Sequence, residues 1–497
     1  MFTLHLSRRA WTRFGLSILA GLCLIAQLRC SGGGDGGGTS SSPAPAPAST
    51  GDPKAIAREN ALLGTSAWGQ FANPSANGEL VAYTNRESYP AGSDVGISVS
   101  ATPAGQFSWK VFRMGGYQGM GGRLYAEGGP ISAPQQASPS FDPSTGLLVA
   151  GWPTTFSIST RNMDGSAWTP GVYVVLLTKQ DTFQTYAIFI LRDDTRHAEV
   201  AVHLATATWH AYNDFGGESI YVSSHGLPGG HAVKVSLDKP MKVGFGAGKY
   251  LFEQHEGVRW LEDAGYDVEY FTSGDLGGAV NRLGSHRIYI SIGHDEYATM
   301  AVLDRLQALL AAGTSLAFLT GNTMVYQIRY EDNERTIVAY KDQSGSDPMR
   351  SINPSLTTAR FRDPIVNRPE NQLTGVMSDE SHTLTPADWI VTNANHWVYA
   401  NTGLSNGSIL PGLVYYEWDT FVNNAVTPSG VTVLASEVVP NPVTPGSVHN
   451  ATVYERGAAF VFAAGTVYFN QHLEDQPAVA QMMKNLLARA SATPYQP

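Results

Sequence analysis

The run RIYISIGHDEYATMAVLDRLQALLAAGTSLAFLTGN, residues 287–322, decides the fold. RIYISIG is short, apolar and rich in β-branched and aromatic residues, as a buried strand is. MAVLDRLQALLAAG carries apolar residues at helical spacing and stops on Gly313, a natural helix terminator. SLAFLTG reads as a strand again. Strand, helix and strand in succession make the βαβ unit of a parallel sheet. The alternation continues outward. EVAVHLATA (199–207) and DVEYFTS (267–273) read as strands, and GVRWLEDAG (257–265) as a helix end capped by Gly265. GLVYYEWDT (412–420) and GAAFVFAAGTVYF (457–469) are later strands, PAVAQMMKNLLARA (477–490) a closing helix, and the less regular 325–410 folds over one face.

Upstream the texture differs. VGISVSA (95–101), FSWKVFRM (107–114), GVYVVLLT (171–178) and YAIFILR (186–192) alternate with period two between turns, which indicates a β-sandwich. The expected organisation is a β-sandwich over 78–193 and an α/β domain over 197–492, with Asp193-Asp194 at the boundary.

With 497 residues, 43% of them hydrophobic, the chain affords a large core. The net charge is -10, and Arg8, Arg9, Arg13 and Arg29 all precede residue 30, so the body is more acidic still. Such a balance argues against nucleic acid or anionic lipid as a partner of the body. The only cysteines, Cys23 and Cys30, lie in the first 30 residues, so the body has no disulfide, thiolate metal site or cysteine nucleophile.

Residues 1–30 read as an export signal: a basic start, then an apolar run to Leu28 too short for a membrane span. Ser7-Arg8-Arg9-Ala10-Trp11 resembles a twin-arginine signal, and an ordinary secretory signal fits equally. Cys30 followed by a Gly/Ser/Pro/Ala tether (31–54) resembles a bacterial lipoprotein, with Arg29 a departure from the small residue expected there. The expected location is the cell envelope, periplasm or exterior, with any membrane contact made through Cys30.

In a parallel sheet, ligands sit beyond the carboxyl ends of the strands. The polar residues found there are His210 to Asp214, His294-Asp295-Glu296 and Asn322. No GxSxG elbow, HExxH or paired Cys/His spacing occurs. Gly115 to Gly122 is glycine-rich but lacks a following Lys-Ser/Thr, and reads as a turn between sandwich strands. His294 and Glu296 face the same way if the chain there is extended. The bland alternative is a polar loop capping the next helix through Asp295 or Thr299. Glu417 in YYEWD, taken alone, is more often a surface acid than a catalyst, and the aromatic pair of WHAYND (209–214) is as readily core.

Eight ordered segments resemble the N,N-dimethylformamidase large-subunit family. They are FRMGGYQGMGGRL (112–124), ATWHAYNDFGGESIY (207–221), RWLEDAGYDVEYFTSGDL (259–276), ISIGHDEY (290–297), LAFLTGNTMVYQIRYE (316–331), NHWVYANTGL (395–404), LVYYEWD (413–419) and AAGTVYF (463–469). The resemblance implies a sheet domain like that of class I glutamine amidotransferases, without their cysteine, after an immunoglobulin-like sandwich. It implies a mononuclear ferric iron held by two tyrosinates and a glutamate, and hydrolysis of a small linear amide. By motif Glu296 matches the carboxylate ligand, Tyr212 one tyrosine, His294 and Asn322 site residues, and Glu417 the catalytic glutamate. No motif settles the second tyrosine; Tyr250 is the choice over Tyr221 and Tyr173. Ala298 and Tyr326 stand where the family commonly has Trp, and FNQH (469–472) replaces a Trp-rich stretch, so the pocket wall and substrate are expected to differ. A small partner subunit or a homo-oligomer is also implied. The contrasting expectation is a non-catalytic surface protein that binds carbohydrate or peptide, and a third is a glycoside-active carboxylate pair, Glu296 and Glu417.

Overall fold

Apolar alternation between Leu80 and Arg192 becomes two sheets with one core. Strands β1 (Leu80–Thr84), β3 (Asp94–Ala101) and β6 (Phe156–Ser159) form the first, in that order. The second runs β2 (Ser88–Pro90), β8 (Gln184–Arg192), β7 (Gly171–Lys179), β4 (Gly105–Met114), β5 (Gly122–Ala133). Val95, Ile97 and Val99 meet Phe107, Val111, Val175 and Phe189 between them. The computed structural model describes residues 52, 54–180, 183–196, 198–279, 283, 286–441 and 444–492. The export signal, Cys30 and nearly all of the tether lie outside the described residues.

The central sheet has seven strands: β10 (Val268–Thr272), β9 (Val200–Leu204), β11 (Ile288–His294), β12 (Ser315–Gly321), β17 (Ala459–Ala463), β16 (Val448–Arg456) and β15 (Thr432–Val438). The first five run parallel. β16 runs antiparallel to both its neighbours, β17 and β15, a departure from the parallel sheet expected. A short turn explains its reversal: the β16–β17 link passes through Gly457 at φ +63°, and a tight turn can only reverse a strand. The chain is thus a mixed α/β protein with many strands and few helices.

Helix Met300–Ala311 follows β11 and buries Val302, Leu303, Leu306 and Leu310 along one stripe against the sheet. Thr299 caps it, its hydroxyl accepting the Val302 N–H at 3.3 Å, which leaves Asp295 free of that task. GLVYYEWDT does not join the central sheet. It is part of β14 (Ile409–Thr420), paired antiparallel with β13 (Met377–Ile390) as a two-stranded ribbon.

Within the sandwich, β3, β7 and β8 are buried along nearly their whole length, whereas β5 and β6 keep exposed positions. Arg113 of β4 reaches Glu262 in helix His255–Asp263 with two parallel bonds of 2.9 Å, both side chains fully buried. Glu262 also accepts from Asn60 and Tyr270, each at 2.7 Å. The glycine-rich turn after β4 sits on this pair. A Cβ on Gly115 or Gly116 would collide with the carboxylates of Glu262 and Asp263. Glycine there serves close packing, not phosphate binding.

Candidate active site

Strand β11 delivers the GHDEY segment to the carboxyl edge of the sheet. Gly293 turns the backbone at φ +82°, where a side chain would be strained. Beyond it the side chains alternate. Asp295 points inward, its carboxylate accepting from Ser291 Oγ at 2.6 Å and lying 3.2 Å from His203 Nδ1. His294 and Glu296 point the other way, with Nε2 and Oε2 3.4 Å apart. The Glu296 amide is tied to Thr208 Oγ1 at 3.1 Å, fixing this segment to helix Thr206–Ala211.

That helix ends on Tyr212, whose hydroxyl donates to Glu296 Oε2 at 3.0 Å. The loop beyond returns Tyr221 to the same atom, donating at 2.6 Å. Tyr297 in turn donates to the Tyr221 hydroxyl at 2.6 Å. Two phenol oxygens therefore meet one carboxylate oxygen. Burial, and next the Glu296 carboxylate beside them, push both tyrosines well above the ordinary phenol value.

The structure does not bring Tyr250 to this cluster. Tyr250 opens a single π-helical turn, Tyr250–Gln254. Its ring packs on His255, 5.5 Å between centroids, in the field of Glu262 and Arg113, and its hydroxyl has no hydrogen-bond partner among the described residues. The residue before it faces the site instead. Lys249 pairs with Glu253 at 2.7 Å, lies over the Tyr212 ring at 4.6 Å and reaches His294 Nδ1 at 3.4 Å. Tyr173 lies in the sandwich core, donating to Thr169 O.

Glu417 arrives from the ribbon. Its carboxylate Oε2 is 2.5 Å from His294 Nε2, with both side chains buried. Burial raises Glu417 to about 7, against the pull of Lys249, His382 and Lys341 and a hydrogen bond from Asn322. Burial, and then the Lys249 ammonium, lower His294 to about 4, so its ring is neutral near pH 7. An ammonium only donates, so Nδ1 accepts from Lys249 and the neutral ring carries its proton on Nε2, toward the carboxylates.

Backbone strain is concentrated here. Tyr416, just before Glu417, has φ +68°, and Asn322 has φ +51°. Asp419, two residues on in the ribbon, accepts from the Thr323 amide and hydroxyl and so pins the Asn322 turn. A Cβ on Gly321 would run into the Glu417 carbonyl, so at this point sheet and ribbon meet backbone to backbone. Ser378 Oγ holds the Asn322 carbonyl oxygen.

The wall near Tyr326 is aromatic, while Ala298 packs into the core beneath helix Met300–Ala311. Tyr297 stacks on Tyr326 with centroids 5.7 Å apart, and Tyr326 donates to Glu380 at 3.3 Å. The Lys341 ammonium lies 3.7 Å from the Tyr221 ring and 4.8 Å from that of Tyr326.

Tyr212, Glu296, His294, Glu417 and Asn322 are thus brought together and Tyr250 is not. Tyr221, Tyr297, Lys249 and Lys341 complete the cluster. Tyr221 carried a signal in closing the ATWHAYNDFGGESIY segment; Lys249 and Lys341 carried none. Among the described residues no three His, Cys, Asp or Glu side chains are arranged to hold a metal. The oxygens that do converge, two phenols and a carboxylate, are the hard donors a trivalent ion takes once the phenols ionise.

The profile of a family described as N,N-dimethylformamidase beta subunit-like, C-terminal, matches residues 108–484. No curated protein matches the chain. The matched span runs from within β4 to the closing helix and contains every residue of the cluster. The chain therefore belongs to the N,N-dimethylformamidase beta subunit-like family, of which it carries the C-terminal region.

Proposed function

We propose that the protein is an amide hydrolase that uses one ferric ion held by Tyr212, Tyr221 and Glu296. The observation that carries this reading is the meeting of two phenol oxygens on one Glu296 oxygen, beside a carboxylic acid raised to about 7. When bound, the ion supplies a Lewis acid for the amide carbonyl and for water. The rest is done by side chains. Glu417, near half-ionised at neutral pH, takes the proton of the attacking water and returns it to the departing amine. His294 sets its Nε2 2.5 Å from the Glu417 carboxylate and is itself fixed by Lys249. Asn322 hydrogen-bonds Glu417 from the opposite strand end. The products are a carboxylate and an amine.

Metal content tests it. Wild type is expected to hold about one iron per chain, and Glu296→Ala only traces, because an anionic ligand is lost. Tyrosinate-to-iron charge-transfer absorption is expected to disappear in Tyr221→Phe and persist in Tyr250→Phe. The reverse pattern, or an iron-free wild type, sinks the ligand assignment, and an iron-free wild type favours the non-catalytic binder. Glu296 and Glu417 lie on one imidazole, so their placement also suits a carboxylate pair acting on a glycosidic bond. Turnover of an aryl glycoside and of no amide decides for that.

For location, we infer a lipid anchor at Cys30. Wild type is expected in the membrane fraction and Cys30→Ser in the soluble fraction. Equal partitioning of the two removes the anchor.

A further inference from the structure

Lys341 stands apart from the other lysine of the site. Lys249 is spent on Glu253 and His294. Lys341 lies at the mouth, half-buried, at the start of a turn where its own φ is +54°. Its amide donates to Thr358 O at 2.9 Å, and its side chain ends against the rings of Tyr221, Tyr326 and Tyr297, at 3.7, 4.8 and 5.9 Å. Ring faces fix an ammonium by electrostatic attraction but accept none of its N–H groups as an oxygen would. Among the described residues no carboxylate or carbonyl oxygen is within bonding distance of this Nζ.

The carboxylates nearby are already committed. Glu380 is held by Arg360 at 3.1 Å, Tyr326 at 3.3 Å and Arg362 at 3.5 Å. Glu296 accepts from Tyr212 and Tyr221. Once two phenolates and Glu296 surround a trivalent ion, three ligand charges cancel three metal charges. Asp342 is paired with His231 at 2.9 Å and Glu417 lies against His294, so none of the carboxylates in whose field Lys341 lies is bonded to its ammonium.

We propose that the amide taken by this site carries a carboxylate of its own, and that the Lys341 ammonium, caged by Tyr221, Tyr326 and Tyr297, receives it. This rests on the amide-hydrolase reading above and adds the substrate class: linear monoamides of dicarboxylic acids and their relatives, not neutral formamides.

The test compares N-methylsuccinamate with its methyl ester, two amides alike but for the charge. Wild type is expected to prefer the acid by about 10- to 100-fold in kcat/KM, the range of a charge-assisted hydrogen bond in a partly buried site. In Lys341→Met the preference should fall to near one through KM, and Lys341→Arg should keep most of it. A wild-type preference near one overturns the proposal. So does a Lys341→Met variant that retains the preference, or one that loses kcat equally for both substrates. Titration of the iron-loaded protein with succinate and with succinamide separates this from the reaction itself. Succinate bound at least tenfold more weakly by Lys341→Met, with succinamide unaffected by charge, supports the anion site even if no amide is hydrolysed. Succinate bound equally by both proteins overturns it.

Discussion

Glutamine in place of Glu417 is expected to cut kcat on a linear amide by about 10²–10⁴-fold with iron content unchanged. Glutamine keeps the shape but cannot take or give a proton. Glu417 owes its value of about 7 first to burial, so its carboxyl exchanges a proton at neutral pH where an exposed glutamate, near 4.5, would be fully ionised. The loss should fall on kcat, because the residue lies against His294 and not among the proposed metal ligands. Parallel metal analysis and turnover decide the matter. Wild-type turnover by Glu417→Gln removes this residue from the chemistry, and loss of iron makes it a ligand instead.

The second large effect is on stability. Glu262→Ala is expected to destabilise the protein by about 3–5 kcal/mol, the cost of leaving one member of a buried ion pair uncompensated. Arg113 is fully buried, and Asn60 and Tyr270 would lose the same acceptor. Replacing both charges, as Arg113→Met with Glu262→Leu, is expected to cost much less, since no buried charge is then unpaired. Denaturant titration of wild type, Arg113→Met, Glu262→Leu and the double variant measures the coupling. Equal losses for the single and double variants would mean that the contact contributes packing alone. The glycine-rich turn explains why the pair matters: Gly115 and Gly116 press the sandwich onto the helix that carries Glu262.

Much of this was legible in the residues. Strand ends of a parallel sheet pointed to His294, Glu296 and Asn322, and an extended GHDEY put the first two on one side. Thr299 and Gly313 bounded the helix as capping chemistry requires. What escaped had a physical cause in each case. Tyr250 and Lys249 are adjacent, and a π-helical turn shifts the phase by which one counts faces, so Lys249 looks at the site. Tyr221 sits in a loop without period, where spacing says nothing of direction. GLVYYEWDT reads as a strand, but the alternation of a strand does not say which sheet it joins. Nor could it tell that β7 would be covered on its second face as well. Lys341 belongs to the irregular stretch for which no template exists.

The ribbon that carries Glu417 has a consequence for how such a scaffold diversifies. Its register on the platform is set at three points, the Gly321 contact, the Asp419 bonds to Thr323 and the Asn322 bond to Glu417. The long connection from 325 to 376 is bound by none of them, yet it contributes Tyr326, Lys341 and Arg360 to the mouth. Insertions and deletions there can accumulate without displacing Glu417. Descendants of one ancestor could therefore exchange substrates by rewriting a single connection, inheriting their reaction unchanged.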